Sequence, residues 1–486
     1  MALKLLLIVP FCCALLAYVL PPVLVWRWWR PWLIPVSATI QLLLSVYCGS
    51  YAAGQGLFSD WLVLDPLATL FLLGTNTLCC ACGFYAPAYL HWRGDHPNRI
   101  FCTSFLLLMG IMQLVFVSQH LGLTWVAIEA TSLVSAPLIY FRRNALALEA
   151  VWKYLLICSV GIALALLGSF FLAYAALSPN GELHSTLLFP DLISHAAGFS
   201  RPWLQAAFVT LLLGYGTKMG IAPLHTWKPD AYGESPGLTG AMLAGGVTSC
   251  AFLVLVRICM VMRAAGEFSV AAPYLKAFGL FSILVAALFL VGQRDFKRML
   301  AYSSVEHMGI LLLGMGVGGL GTFAALFHLL NNSFTKGILF LSAGNIHRTF
   351  GSKSTEQVRG AMKVLPWSSG LLLLGLFAAT SSPPFSPFFS VYALLQALFT
   401  AGEVWTGVAF LLLLFVAFFG MGATVMAVTQ GEPEVLTGDT RRPPETFGLI
   451  APLIALALVV VLLGVFHPSS VMGVIQRAAD FAEMKR

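Results

Sequence analysis

The stretch "GYGTKMGIAPLHTWKPDAYGESPG", residues 214–237, interrupts a chain that otherwise avoids charge. Of 486 residues, 59% are hydrophobic and 10% charged, with mean hydropathy +0.87. Lys218 lies inside an apolar run between Gly214, Gly216 and Gly220, and Pro223 follows. A proline in a helix removes one backbone donor and clashes with the preceding turn. Freed backbone groups at membrane depth are tolerated only against protein or a watered cavity. The stretch therefore predicts a broken transmembrane helix that carries a buried lysine, and the rest of the chain fits that reading.

Apolar runs of about 20 residues, each long enough to cross a hydrocarbon core as a helix, recur from end to end. The expected spans are 4–26, 32–53, 63–86, 99–119, 122–141, 150–177 and 203–225 in the first half. The second half gives 237–264, 273–291, 300–318, 320–346, 365–397, 404–429 and 447–466. The fold class is all-α and polytopic, with about fourteen transmembrane helices. The first run leads into further spans without a small-residue cleavage site, so it reads as a helix rather than a signal peptide. Loops after odd-numbered spans hold Arg27 and Arg30, Arg93 and Arg99, Arg142 and Arg143, Lys228, then Arg294, Lys297 and Arg298, and finally Arg348, Lys353, Arg359 and Lys363. Loops after even-numbered spans hold mainly Arg201 and Lys276. That bias puts the odd loops in the cytoplasm and both termini outside, in a bacterial or archaeal inner membrane. Trp26, Trp28, Trp29 and Trp32 crowd the first interface as aromatic anchors. The net charge of +7 is thus spent on orientation, not on nucleic acid.

Other chemistry finds little support. Cys79, Cys80 and Cys82 cluster without a second ligand group to complete a metal site. "GMGVGGLG", 314–321, is apolar, follows no strand and reads as small-residue helix packing. His225 and Asp230 have no nucleophile beside them. Residues 178–202 predict a short surface helix, and 430–446 is the most polar segment.

Charges inside the spans are the functional candidates, because each costs several kcal/mol unless it faces the protein interior with a partner. Glu129 sits well inside the fifth span and Lys218 inside the seventh. Together they make the minimum kit for a switchable proton relay, although a helix-to-helix ion pair is the plainer alternative. His328, Asn332 and Lys336 follow at i, i+4 and i+8 on one helix face. Glu306 and His307 lie just inside the tenth span. "TSSPPFSPF", 380–388, breaks the twelfth span much as Pro223 breaks the seventh. Two broken helices suggest repeats over spans 4–8 and 9–13, residues 99–264 and 273–429. Residues 1–98 supply three leading helices, and 447–486 a last helix and tail.

"GTKMGIAPLHTWKPDA", "TWVAIEATSLVSAPLIY", "WKYLLICSVGIALAL", "RMLAYSSVEHMG" and "FHLLNNSFTKGILFLSAGNI" resemble the antiporter-like proton-translocating subunits. That family is shared by respiratory complex I, multisubunit sodium/proton antiporters and membrane-bound hydrogenases. The likeness is strongest to the F component of hydrogenase-4-type complexes and runs from about Asp65 to about residue 400. The resemblance implies two inverted five-helix repeats with helices 7 and 12 broken. It implies Glu129 paired with Lys218, His225 near an entrance, and His328 with Lys336 as a second relay; Asp230, Glu306, His307 and Asn332, read from their own positions, are the auxiliary candidates. It implies no cofactor in this chain, and iron–sulfur and nickel–iron centres in peripheral redox subunits that join it with other membrane subunits. The chain departs from the family pattern in several places. Asn332 stands where a histidine is common, Ser249 where asparagine is, and Lys228 where "HTWLPDA" has an apolar residue. Val391 takes the place of a charge after the second break. A cation/proton antiporter, the membrane half of an inorganic-carbon uptake system and a non-conducting structural subunit are the competing readings.

Overall fold

The computed structural model describes residues 2–20, 28–51, 60–91, 98–177, 186–433 and 445–485. Trp26, Arg27, Arg93, and the parts of the two polar segments at 178–185 and 434–444 lie outside the described residues. The described chain is helical throughout, with three isolated β-bridges between loops. In order come α1 (Ala2–Val19), α2 (Leu33–Tyr51), α3 (Pro66–His91), α4 (Arg99–Val117), α5 (Leu121–Ile139) and α6 (Ala145–Ala175). The broken segment gives α7 (Arg201–Met219) and α8 (Trp227–Glu234). Then follow α9 (Gly237–Ala264), α10 (Phe268–Leu290), α11 (Phe296–Val317) and α12 (Leu320–Phe350). The second break separates α13 (Pro366–Ala379) from α14 (Ser386–Thr400), and α15 (Val404–Thr429), α16 (Phe447–Val465) and α17 (Ser469–Ala482) close the chain. Ten helices among the described residues are long and apolar enough to cross a membrane. The expected span 203–225 falls on α7 and the turn after it, whereas 365–397 falls on the pair α13 and α14.

The helix ends follow their capping residues. Asp65 accepts from Ala68 N–H at 2.6 Å at the start of α3, and Asn144 from Ala147 N–H at 2.7 Å at the start of α6. Asp295 takes the N–H groups of Lys297 and Arg298 at the start of α11. Each side chain satisfies donors that the first turn leaves unpaired. At the other end, Gly220 closes α7 with φ +74°, a left-handed conformation that favours glycine.

The core is built around α12, a 31-residue helix that packs against α3, α9, α11, α13, α14 and α16. A helix enclosed on all sides presents its polar stripe to protein rather than lipid. Its contact with α11 is close at Gly314 and Gly321, where an added Cβ would lie 2.7 and 2.6 Å from the other's carbonyl oxygen. The Gly-rich stretch is indeed a packing device. By contrast α2, α6, α10 and α15 turn many large apolar side chains outward, among them Leu43, Trp152, Leu288 and Phe415, as lipid-facing helices do. Trp28, Trp29 and Trp32 are exposed, as an aromatic anchor requires.

Two sequence expectations need correction. Arg30, Lys228 and Lys297, read as loop charges, are all buried. Lys297 donates to the carbonyls of Gly233, at 2.9 Å, and Ser235, so it serves the C-terminal end of α8. The region beyond residue 468 is not a loose tail but an amphipathic helix, α17, with Ile475, Ala478, Ala479 and Ala482 buried. Glu483 just beyond it pairs with Arg263 of α9 at 2.8 Å and accepts from Thr322 of α12. The expected surface helix of 178–202 is present as Phe189–His195.

Candidate functional site

The first polar group forms where α5, α6 and α7 meet. Lys218, fully buried one turn before the break, donates to Ser132 Oγ at 2.7 Å and to Tyr154 Oη at 2.8 Å. Tyr154 Oη lies 2.7 Å from Ser135 Oγ, whose own hydrogen faces backbone carbonyls. Tyr154 is therefore the donor of that pair. Glu129 is only half-buried: Ser159 Oγ donates to its Oε1 at 2.9 Å, and Ser132 Oγ approaches Oε2 at 3.4 Å. Glu129 and Lys218 are thus brought together, but through Ser132 rather than as the direct ion pair expected. A run Glu129–Ser132–Lys218–Tyr154–Ser135 results.

The break itself holds the next group. Gly220 N–H and Ile221 N–H both reach the Gly216 carbonyl, and Ala222 N–H donates to Ser282 Oγ of α10 at 2.9 Å. Trp227 Nε1–H donates to the Thr217 carbonyl at 2.9 Å, which ties α8 to the last turn of α7. Lys228 follows, fully buried, with Nζ 3.1 Å from Ser304 Oγ on α11. His225 is buried near the rings of Phe289 and Tyr302, and its Nδ1 has no partner among the described residues.

The second polar group lies between α11, α12 and α14. Lys336 donates to Ser303 Oγ at 2.7 Å. Glu306, one turn along α11, is buried with Oε2 unpartnered. His307 Nδ1 is 2.7 Å from His328 Nε2, and His328 Nδ1 is 2.9 Å from Ser390 Oγ. Ser390 spends its hydrogen on the Pro387 carbonyl at 2.8 Å. His328 must then donate through Nδ1 and accept at Nε2, so His307 carries its hydrogen on Nδ1. The chain of donors runs one way, from His307 to the second break. Val391, beside Ser390, is buried among Ile283, Ile310, Leu313 and Leu394. A second line of polar atoms starts at Asn331, whose Nδ2 donates to the Ser386 carbonyl at 3.1 Å. Both side-chain polar atoms of Asn332, together with Asn331 Oδ1, Thr335 Oγ1 and Ser386 Oγ, are buried without partners among the described residues. Buried polar atoms rarely stay unpaired, which sets this group apart from the apolar packing around it.

Asp230 stands apart. It bridges Lys153 at 2.9 Å and Arg298 at 2.7 Å in a partly exposed ion-pair group, outside the buried row. None of Lys218, Lys228 and Lys336 makes an ion pair among the described residues; each rests on hydroxyl groups. Sequence reasoning missed those hydroxyls, and it missed Arg257, which pairs with Asp65 at 2.9 Å and donates to the Phe116 and Ser118 carbonyls. The signal for Arg257 was available: it is a cation inside an apolar run. Among the described residues no group of three or more His, Cys, Asp or Glu is placed to hold a metal ion.

Residues 118–418 match the family described as NADH:quinone oxidoreductase/Mrp antiporter, TM. A hydrogenase-4 component F homolog of Methylacidiphilum infernorum is 31% identical over 423 residues, covering 85% of this chain and 87% of its own. An NADH-quinone oxidoreductase subunit N of Desulforudis audaxviator is 30% identical over 432 residues, with 86% and 84% covered. A chain of the membrane-bound sulfane sulfur reductase, an archaeal respiratory membrane complex, has the same fold. It superposes with TM-score 0.85 at 21% identity and covers 98% of this chain.

Proposed function

The chain belongs to the family of NADH:quinone oxidoreductase and Mrp antiporter transmembrane subunits, and on that premise we propose that it moves protons within a redox-driven membrane complex. The complex is of the hydrogenase-4 or complex I type, in the inner membrane, and its redox centres sit in partner subunits. The observation that carries this reading is a pair of polar groups inside the bundle whose lysines rest on hydroxyls, Lys218 near Glu129 through Ser132 and Lys336 on Ser303, with His307 bonded directly to His328 beside the second. A chain that needed charge only for packing would pair these lysines with carboxylates, since an uncompensated buried charge is costly. Hydroxyls instead accept from an ammonium and donate to an amine, so they serve both protonation states.

In this reading the chain crosses the membrane fourteen times. Residues 99–264 and 273–429 are inverted repeats, and the breaks after α7 and α13 lie at their centres. Leading helices fill 1–98, and 447–486 supply the last crossing and α17. Lys218 alternates between an ammonium held toward Glu129 by Ser132 and an amine that has passed its proton toward Lys336. Like charges repel strongly in a medium of low dielectric, so loading one lysine favours release from the next. His328 and His307 carry the second half-channel, His225 lies near an entrance, and water around Asn332 replaces the absent histidine. Val391 favours one second reading: a subunit whose outer half-channel is closed and whose role is structural.

Two measurements test this. Gentle purification should bring down redox subunits with this chain. In the reconstituted complex, Lys218→Ala should abolish coupled proton movement while the subunits still co-purify. Undiminished pumping by the assembled variant sinks the relay.

A further inference from the structure

Lys228 belongs to neither of the two polar groups, yet it touches an element of each: the turn that ends α7 and the helix that supplies Ser303. Three observations fix its position. Its side chain crosses directly over Gly220, where a Cβ would come within 2.4 Å of its Cε, so it runs along the turn that ends Lys218's own helix. The bond from Trp227 to the Thr217 carbonyl pins the two segments together, which holds Lys218 and Lys228 on one rigid corner. Its Nζ reaches Ser304, while the adjacent residue, Ser303, holds Lys336. Successive residues on a helix point about 100° apart. The two serines therefore face two different neighbours, one toward the break and one toward α12.

A fully buried lysine is costly to keep for packing alone. Nothing anionic compensates Lys228 among the described residues; its surroundings are Ser304 and the face of Tyr232, whose ring centre is 5.8 Å from Nζ. A hydroxyl and an aromatic face accommodate an amine or an ammonium in the same place.

We propose that Lys228 is a third relay lysine, which takes a proton from the Lys218 side of the break and hands it across Ser304 and Ser303 to Lys336. In the first step an N–H bond of the Lys218 ammonium breaks and one forms on the Lys228 amine. In the second, Lys228 gives up that proton and Lys336 gains one. Lys218 and Lys228 end as amines and Lys336 as an ammonium, so one positive charge has crossed from one half to the other. Ser303 and Ser304 accept on one side and donate on the other without changing net charge. The inference rests on the proton-relay reading above and gives the two half-channels a physical connection.

The test uses the intact complex in proteoliposomes and reads protons moved per electron pair. The variants are Lys228→Leu, Lys228→Arg and Lys228→His, each checked for assembly by co-purification. Leucine carries no proton, and arginine keeps the charge but does not release it. Both should lower the ratio about tenfold or more. Histidine should restore part of it, with a pH profile displaced toward acid, because imidazole titrates lower than an amine. A structural role predicts a different pattern, in which arginine rescues and histidine leaves the pH profile in place. Full pumping by assembled Lys228→Leu, with Lys218→Ala inactive, overturns this inference alone. Full pumping by both overturns the relay reading as well.

Discussion

The two halves of the bundle hold their lysines in matching settings that differ in one respect. In each, an ammonium rests on a serine of a neighbouring helix, and a glutamate lies one turn along that same helix: Lys218 on Ser132 with Glu129, and Lys336 on Ser303 with Glu306. In the first half the lysine comes from a helix that ends two residues later, at Gly220. In the second it comes from the middle of an unbroken 31-residue helix, and the broken helix contributes Ser390 and Val391 instead. Backbone at a break is free of the helical ladder and tolerates rearrangement, whereas an unbroken enclosed helix does not. The first half nevertheless holds its lysine at a helix end that Trp227 and Ser282 fix in place. The second holds its lysine within an unbroken helix, and two histidines lie beside it toward the second break.

Four substitutions would break or sharpen that contrast. The largest effect belongs to Val391→Glu, which places a carboxylate among Ile283, Ile310, Leu313 and Leu394. The expected cost is about 3 kcal/mol in the stability of the detergent-solubilised chain, seen as a lower melting temperature. A gain in proton flux with no loss of stability would mean that the outer half lacked only an acid, and the contrast would collapse. Next comes the serine pair. Ser303→Ala leaves Lys336 without its acceptor and should slow proton flux by about tenfold or more, a cost near that of losing one charged hydrogen bond. Ser132→Ala should do less, because Tyr154 still holds Lys218. Equal losses in proteoliposomes would mean that Tyr154 carries no weight. The smallest effect is that of Asp230→Asn. Its partners are partly exposed, so removing the charge should change stability by less than about 1 kcal/mol and leave the proton ratio unaltered.

The sequence carried the charged half of this picture. Glu129, Lys218, Glu306 and Lys336 stand out because ionised groups inside apolar runs are rare and expensive, and the structure buries or half-buries each. The hydroxyl half was not legible. Ser132, Tyr154, Ser303 and Ser390 are ordinary residues in membrane helices, and which of them faces a lysine depends on helix rotation, which no local pattern records. Lys228 was misread for a related reason. A proline-interrupted segment has the composition of a loop, and only the folding of α8 back into the bundle shows otherwise. The same holds for α17, whose polar face resembles a tail and whose buried face is four small or aliphatic side chains.

The contact at Gly314 and Gly321 has a mechanical consequence. It pins α11 to α12 at one end of their crossing, while Ser303 lies eleven residues away along α11. At 1.5 Å of rise per residue that is a lever arm of about 16 Å. A change of about 5° in the crossing angle at the pinch would carry Ser303 about 1.4 Å, enough to part a 2.7 Å hydrogen bond to Lys336. Two glycines at one end of the helix pair set the point about which any such change of angle would turn, three turns from the hydrogen bond it would part.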